Sequence, residues 1–188
     1  MPSARTRLIL KTAAWTLLGA GAVGAAVGMA VFFGGWYYIG ATKHHFQSVY
    51  RLLEKGMQYS VRRNARDIEA PKLGAPEQVL RGAALYRDNC AQCHGGPGFA
   101  QSPIGMSMQP VPGPLIDASA NWKERELYWI TRHGIKMSGM PAWEYHLSDA
   151  DIWATVAFIA KLPGMSAQDY RAITAQATTQ ASAAKEDR

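Results

Sequence analysis

Cysteine is almost absent: the 188 residues hold two, Cys90 and Cys93, three positions apart. Two are too few for a disulfide framework. A zinc site built on cysteine pairs needs a second pair, which the chain lacks. Acidic residues are scarce where basic ones are not. Residues 1–70 hold nine Lys and Arg against three Asp and Glu, residues 71–163 hold eight of each, and residues 164–188 hold three of each. The whole formal excess of +6 therefore lies in the N-terminal third. A nucleic-acid binder needs a basic face on its folded domain, so no nucleic acid is expected as partner. Lipid headgroups or an acidic partner suit basic segments that flank an apolar run. Convincing alternation of apolar and polar residues is also missing, which leaves no strand to predict and an all-α expectation.

Charge of either sign is missing from Thr12 to Thr42, a run of 31 residues. A spanning helix needs about 20 apolar residues. Trp15 lies near one end of the run and Trp36, Tyr37 and Tyr38 near the other, as aromatic belts at two interfaces require. A cleaved signal peptide has an apolar core of about 7–15 residues, and this run exceeds it and lacks a clean Ala-x-Ala before a polar start. Residues 12–40 are read as a retained transmembrane anchor behind a basic N-terminus, 1–11. Gly24 and Gly28 form a Gly-x-x-x-Gly, extended one turn back by Ala20. Such a face lets another helix approach closely, so the anchor is expected to dock in a larger membrane complex. Arg5, Arg7 and Lys11 precede the run while Lys43, Arg51 and Lys55 follow it, so charge alone does not orient it.

Residues 41–70 form a basic connector. Phe46, Val49, Tyr50, Leu53, Met57 and Val61 recur at three- and four-residue steps, which predicts an amphipathic helix. Lys55, Arg62, Arg63 and Arg66 make it basic, suited to a membrane surface, to a partner or to a solvated linker alike. Pro71 ends it, and residues 71–163 read as the compact domain. Helices are expected over Pro76–Asn89, with the proline at the start, over Glu124–His133, ended by Gly134, and from Ser148 to Lys161, with Ser148 and Asp151 as a capping pair. A Gly/Pro-rich stretch, Gly95 to Pro114, separates the first two. Residues 164–188 read as a polar tail with a short helix from Ser166 to about Ala175, its last dozen residues disordered.

The two cysteines belong to Cys90-Ala91-Gln92-Cys93-His94, the attachment pattern for c-type haem. One helical turn with two intervening residues brings two thiols to two vinyl groups on neighbouring pyrroles. The next residue then lies under the ring, where its imidazole can bind iron. A thioredoxin-like pair would sit in a strand-to-helix unit, and no strand is predicted. A mononuclear metal site from both cysteines and His94 lacks a fourth ligand. One covalent haem c is the expected cofactor, since a second would need a second pair.

With these residues in view, Pro76 to Leu162 resembles a class I mono-haem cytochrome c domain. Residues 1–70 loosely resemble the membrane-anchored members found beside bacterial respiratory complexes. Arg81-Gly82-Ala83-Ala84-Leu85-Tyr86 resembles that family's N-terminal helix, and Ile152-Trp153-Ala154-Thr155-Val156-Ala157-Phe158 its C-terminal helix. Gly113-Pro114-Leu115 resembles the loop whose proline carbonyl accepts the proximal histidine's N–H, which implies Pro114 in the haem site. Lys136 to Trp143, with Met140-Pro141, resembles the loop that supplies the distal methionine.

The resemblance implies the fold class: an all-α, cytochrome c-type haem domain with one N-terminal transmembrane helix. It implies His94 and Met140 as the iron ligands. Met137, one turn earlier, is the alternative, while Met106 and Met108 suit pocket or loop filling. A methionine-rich copper site with His133 lacks a regular spacing. His133 suits a helix C-terminus, His146 a surface loop, and His44 and His45 a membrane interface. Trp122, Trp129, Trp143 and Trp153 suit packing, and Arg132, Lys136 and Lys161 suit solvated surface near a haem edge. Haem attachment in bacteria occurs outside the cytoplasm. The chain is therefore expected in the bacterial inner membrane, single-pass, N-terminus cytoplasmic and haem domain periplasmic.

The implied function is single-electron transfer, without catalysis of its own, for a respiratory terminal oxidase as subunit or partner. Membrane lipid, the Gly24/Gly28 face and the haem edge would make the contacts. A membrane dehydrogenase feeding electrons into the haem is the alternative. A haem enzyme or gas sensor with a labile Met140 is the alternative of another class.

Overall fold

A computed structural model describes residues 3–44 and 46–186 of the chain. Among them every regular element is helical, and the only bridge is Gly96 with Phe99. The chain divides into two compact units, Met1–Gly40 and Ala41–Arg188.

The first unit is one helix, α1 (Ala4–Phe33), opened by Ser3, whose side chain accepts from Thr6 N. It is long and apolar enough to cross a membrane. Its 30 residues rise about 45 Å at 1.5 Å each, against a hydrocarbon core of about 30 Å. The helix differs in register from the expected anchor at 12–40. It starts inside the basic segment, because Arg and Lys are good helix formers and a charge boundary is no helix boundary. It stops at Gly34-Gly35, where Gly35 takes φ +64, so Trp36, Tyr37 and Tyr38 lie beyond its end.

The second unit begins with α2 (Gln47–Asn64). The connector does not stand apart from the domain that follows. Val61 and Ala65 are buried, and the helix packs on α7 (Glu124–His133). There the Arg62 guanidinium lies 5.9 Å from the Trp122 ring centroid, and Arg125 Nη1 donates to Arg66 O at 3.1 Å. His45 lies outside the described residues.

The centre of the unit is the crossing of α3 (Pro76–Asn89) and α8 (Asp149–Ile159). Gly82 sits at the crossing. A Cβ there would overlap the Ala154 carbonyl oxygen and come within 2.9 Å of Phe158 Cβ, so only glycine lets the two backbones meet. Tyr86 and Phe158 follow, fully buried, with ring centroids 5.3 Å apart. The starts of α3, α7 and α8 are where the sequence places them, whereas α8 ends at Ile159, short of the expected Lys161. Ser148 Oγ accepts from Asp151 N at 3.2 Å and opens α8, and Glu126 reaches back to Lys123 N at 2.9 Å and opens α7. Gly134, at φ +66, closes α7.

Three single turns, α4 (Ala91–His94), α5 (Pro103–Met106) and α6 (Ala118–Asn121), lie between α3 and α7, and a 3-10 turn (Trp143–Tyr145) precedes α8. The last helix, α9 (Ala167–Glu186), runs well past the expected end at Ala175. It packs on α3 as part of the core. Tyr170 is buried edge-on to Tyr86 at 6.4 Å, Ala177 is buried, and Arg87 Nη1 donates to Thr174 O at 3.0 Å. Composition hid this, because Tyr170, Ile173, Thr174 and Ala177 keep a helical step with mostly small or polar residues.

Candidate haem site

Cys90 closes α3 and leads into α4. Its N–H donates to Tyr86 O at 2.8 Å, and its carbonyl accepts from Cys93 N at 3.0 Å and His94 N at 2.9 Å. A single turn therefore carries Cys90, Cys93 and His94. Both cysteines are free thiols rather than a disulfide. Gly95 ends the turn at φ +67, a conformation that favours glycine. Its carbonyl accepts the buried Tyr86 hydroxyl at 2.8 Å, which ties the turn to the core of α3.

His94 is mostly buried, and burial lowers its pKa while a hydrogen bond to Gly113 pulls weakly the other way. The imidazole is thus neutral at pH 7. Nδ1 lies 2.7 Å from Gly113 O. A carbonyl only accepts, so Nδ1 carries the proton and the Nε2 lone pair is left for a metal. Burial likewise pushes the Cys90 thiol up to about 12, with the charge of Cys93 adding to the effect. A thiol so placed is a poor partner for disulfide exchange, which needs the thiolate.

One expectation is corrected here. The carbonyl that meets His94 belongs to Gly113, not to Pro114. The cause is Gln101, whose Nε2 donates to Cys93 O at 2.7 Å and also to Pro112 O. This amide clamps residue 112 against the cysteine turn, and the next carbonyl along is that of Gly113. Nothing in the sequence singled out Gln101, an ordinary polar residue in a Gly/Pro-rich stretch.

The Gly/Pro-rich stretch also bridges to the methionine loop. A Cβ on Gly105 in α5 would come within 2.9 Å of Cys93 Cα. Three residues on, the Met108 sulfur lies so close over Gly139 that a Cβ there would overlap it. Ser102 N donates to Gln92 O at 2.9 Å and fixes this turn on the cysteine turn. The loop from Ile135 to Met140 is held by short links: Ile135 N to Met140 O at 3.2 Å, Met140 N to Ser138 Oγ at 3.1 Å, and Ser138 Oγ to Ile135 O at 2.7 Å. Gly134 packs on the backbone of Met140 and Pro141, where a Cβ would come within 2.7 Å of both carbonyl oxygens.

Exposure separates the four methionines. Met137 is 87% exposed and takes φ +61, and Met106 is exposed too, whereas Met108 and Met140 are half-buried. The other candidates fall elsewhere. His133 Nδ1 lies 3.3 Å from Glu144 Oε1, with its ring against Trp129. His146 is an exposed neighbour of Trp143, and His44 is exposed. Trp153 stacks on Tyr128 with centroids 4.1 Å apart.

Residues 77–159 match the family described as cytochrome c oxidase, cbb3-type, subunit III. A search of curated protein sequences returned no match. The match defines this part of the chain as a mono-haem cytochrome c domain, which binds one haem c covalently. The chain is an electron-transfer haem protein. The donor set fits that group: two unbridged thiols on one turn, a neutral imidazole with one nitrogen engaged and one available, and a half-buried thioether on the loop after α7.

Proposed function

We propose that this chain is a membrane-anchored one-electron carrier that serves a respiratory terminal oxidase as subunit or partner. Cys90 and Cys93 would hold the haem through thioethers, and His94 and Met140 would be the side chains that hold its iron. When bound, the haem would supply one-electron chemistry at its iron. Gly113 O fixes the proton on His94 Nδ1, which sets the ring's orientation and leaves Nε2 for iron. Tyr86 and Gln101 keep the cysteine turn in place from its two sides. Met140 contributes a neutral thioether, which favours the reduced state relative to an anionic ligand.

The observation that carries the reading is the Cys90–His94 turn with Nδ1 donating to Gly113 O, within a domain matched to a cbb3-type oxidase subunit. With His94 and Met140 both engaged in holding the iron, the protein would leave no open site there for a substrate, so electron transfer fits better than catalysis or gas sensing. The N-terminus is assigned to the cytoplasm and the haem domain to the periplasmic side of the inner membrane, where haem is attached. Gly24 and Gly28 stand one turn apart on α1 with open space over each, which suits close approach by a partner helix.

Rapid mixing of the reduced full chain with oxidase-containing membranes tests the reading. Oxygen-dependent oxidation within the turnover time of the oxidase is expected. Reduction by a dehydrogenase substrate with no oxidation by the oxidase would overturn the assignment in favour of a dehydrogenase subunit.

A further inference from the structure

Helix α2 is amphipathic along its whole length, yet only its last turns are covered. With 100° per residue, Phe46, Val49, Tyr50, Leu53, Met57 and Val61 share a sector of about 120°. Val61, at the end of this stripe, is 1% exposed, and the chain buries it where α2 packs on α7. The start of the same stripe has no such cover: Phe46 is 83% exposed, Leu53 57%, and Val49 and Tyr50 are exposed as well. Leu52, also exposed, widens the apolar side.

The charge on this helix is one-sided. Arg51, Lys55, Arg62 and Arg63 face a single acid, Glu54. Arg51 and Lys55 fall opposite the stripe, and a helix is only about 10 Å across. Charges on its far side therefore remain within about one Debye length of whatever the apolar side rests on. Thirteen residues, 34–46, separate α2 from α1, the helix able to cross a membrane. An apolar stripe backed by cations, a short covalent link from a spanning segment, has the chemistry of an interfacial helix on anionic lipid.

We propose that Phe46, which caps α2, and the helix from Gln47 to Met57 lie in the headgroup region of an anionic lipid surface. Phe46, Val49, Tyr50 and Leu53 enter the acyl boundary, and Arg51 and Lys55 attract the lipid phosphates. The inference rests on the reading of α1 as a membrane anchor. It adds a second attachment, one that sets orientation. Because α2 packs on α7, with Val61 and Ala65 buried at its far end and Arg125 donating to Arg66 O, the helix acts as a strut. The haem domain is then held over the bilayer at a defined tilt rather than swinging freely on its tether.

Hydrogen exchange on the full haem-loaded chain tests this in nanodiscs of phosphatidylcholine alone or with about one third phosphatidylglycerol. Amides of residues 47–57 should exchange about tenfold more slowly in the anionic discs than in a Tyr50→Glu, Leu53→Glu variant. Arg51→Glu with Lys55→Glu, surface changes that leave the stripe intact, should lose the difference between the two lipid mixtures. An unchanged haem spectrum shows that each variant is folded. Equal exchange in wild type and the stripe variant would overturn the proposal. So would protection that arises only when solubilised oxidase is added, which would assign the stripe to a protein partner. Residues 4–33 report on α1 in the same experiment: fast exchange there would sink the anchor reading, whereas fast exchange confined to 47–57 would sink only this one.

Discussion

The cysteine turn and the methionine loop offer opposite faces of one design problem. The turn is held by contacts that reach far along the chain: Tyr86 to Gly95, Gln101 to Cys93, and His94 to Gly113, 19 residues away. It grows directly out of α3, whose middle is pressed against α8 at Gly82. The hydrogen bonds that hold the loop of Met140 span only two to five residues, Ser138 to Met140 and Ile135 to Met140, and its long-range hold is the packing of Met108 over Gly139. One proposed ligand is thus built into the cooperative core, and the other stands on a locally fastened segment. Segments of the second kind open at lower free energy than the core does. The difference teaches that the proposed ligation by Met140 should be separable from folding of the domain, while the setting of His94 should not.

Replacing the loop's thioether gives the largest contrast. Met140→Ala should abolish the near-infrared methionine–iron charge-transfer band of the oxidised protein while far-ultraviolet dichroism keeps a cooperative melt. Met137→Ala, at a solvent-exposed side chain, should leave the band in place. A band lost in the second variant and kept in the first would reverse the assignment.

On the core side the effect should fall on stability. Gly82→Ala forces a Cβ into the Ala154 carbonyl, and overpacking of this kind costs about 1–3 kcal/mol. Gly113→Ala, where an added Cβ meets open space, should stay within about 0.5 kcal/mol although the same residue accepts from His94. Urea midpoints of the two variants check this pair.

Tyr86→Phe should come next, at about 1–2 kcal/mol, because it leaves the Gly95 carbonyl without its buried donor. The same urea titration reads it, and a change no larger than that of Gly113→Ala would weaken the link between the turn and α3.

The smallest effect concerns pH. Arg81 hydrogen-bonds Asp151 and holds its carboxyl below the ordinary range, against an opposing effect of burial and with help from Ser148. A lowered folded pKa means that the stabilisation is complete above the unfolded value, about 3.9, and is lost as pH falls through the folded value. Arg81 is mostly exposed, so the contribution should be under about 1 kcal/mol. Arg81→Ala should remove it at neutral pH and change nothing once pH is below the folded value.

Much of the helical frame was legible because its signals are local. Pro76, the Ser148–Asp151 pair and Gly134 mark helix ends through φ limits and capping, which depend on neighbours alone. The cysteine turn was legible because five consecutive residues carry it. Three things were not. The Gly113 acceptor depends on Gln101, an amide whose two partners are brought together only by folding. The length of α9 is masked by alanine, threonine and glutamine, which give its buried stripe little hydrophobic contrast. The docking of α2 on α7 rests on Val61, Ala65 and Trp122, whose spacing predicts a helix face but not what covers it.

Covalent attachment at the cysteine turn is most directly tested by haem staining of the denatured chain on a gel, with intact mass measured in parallel. The wild type should stain and carry the added mass of one porphyrin with its iron, and the Cys90→Ala, Cys93→Ala variant should do neither. A wild-type band that does not stain and has the mass of the bare polypeptide would contradict the account.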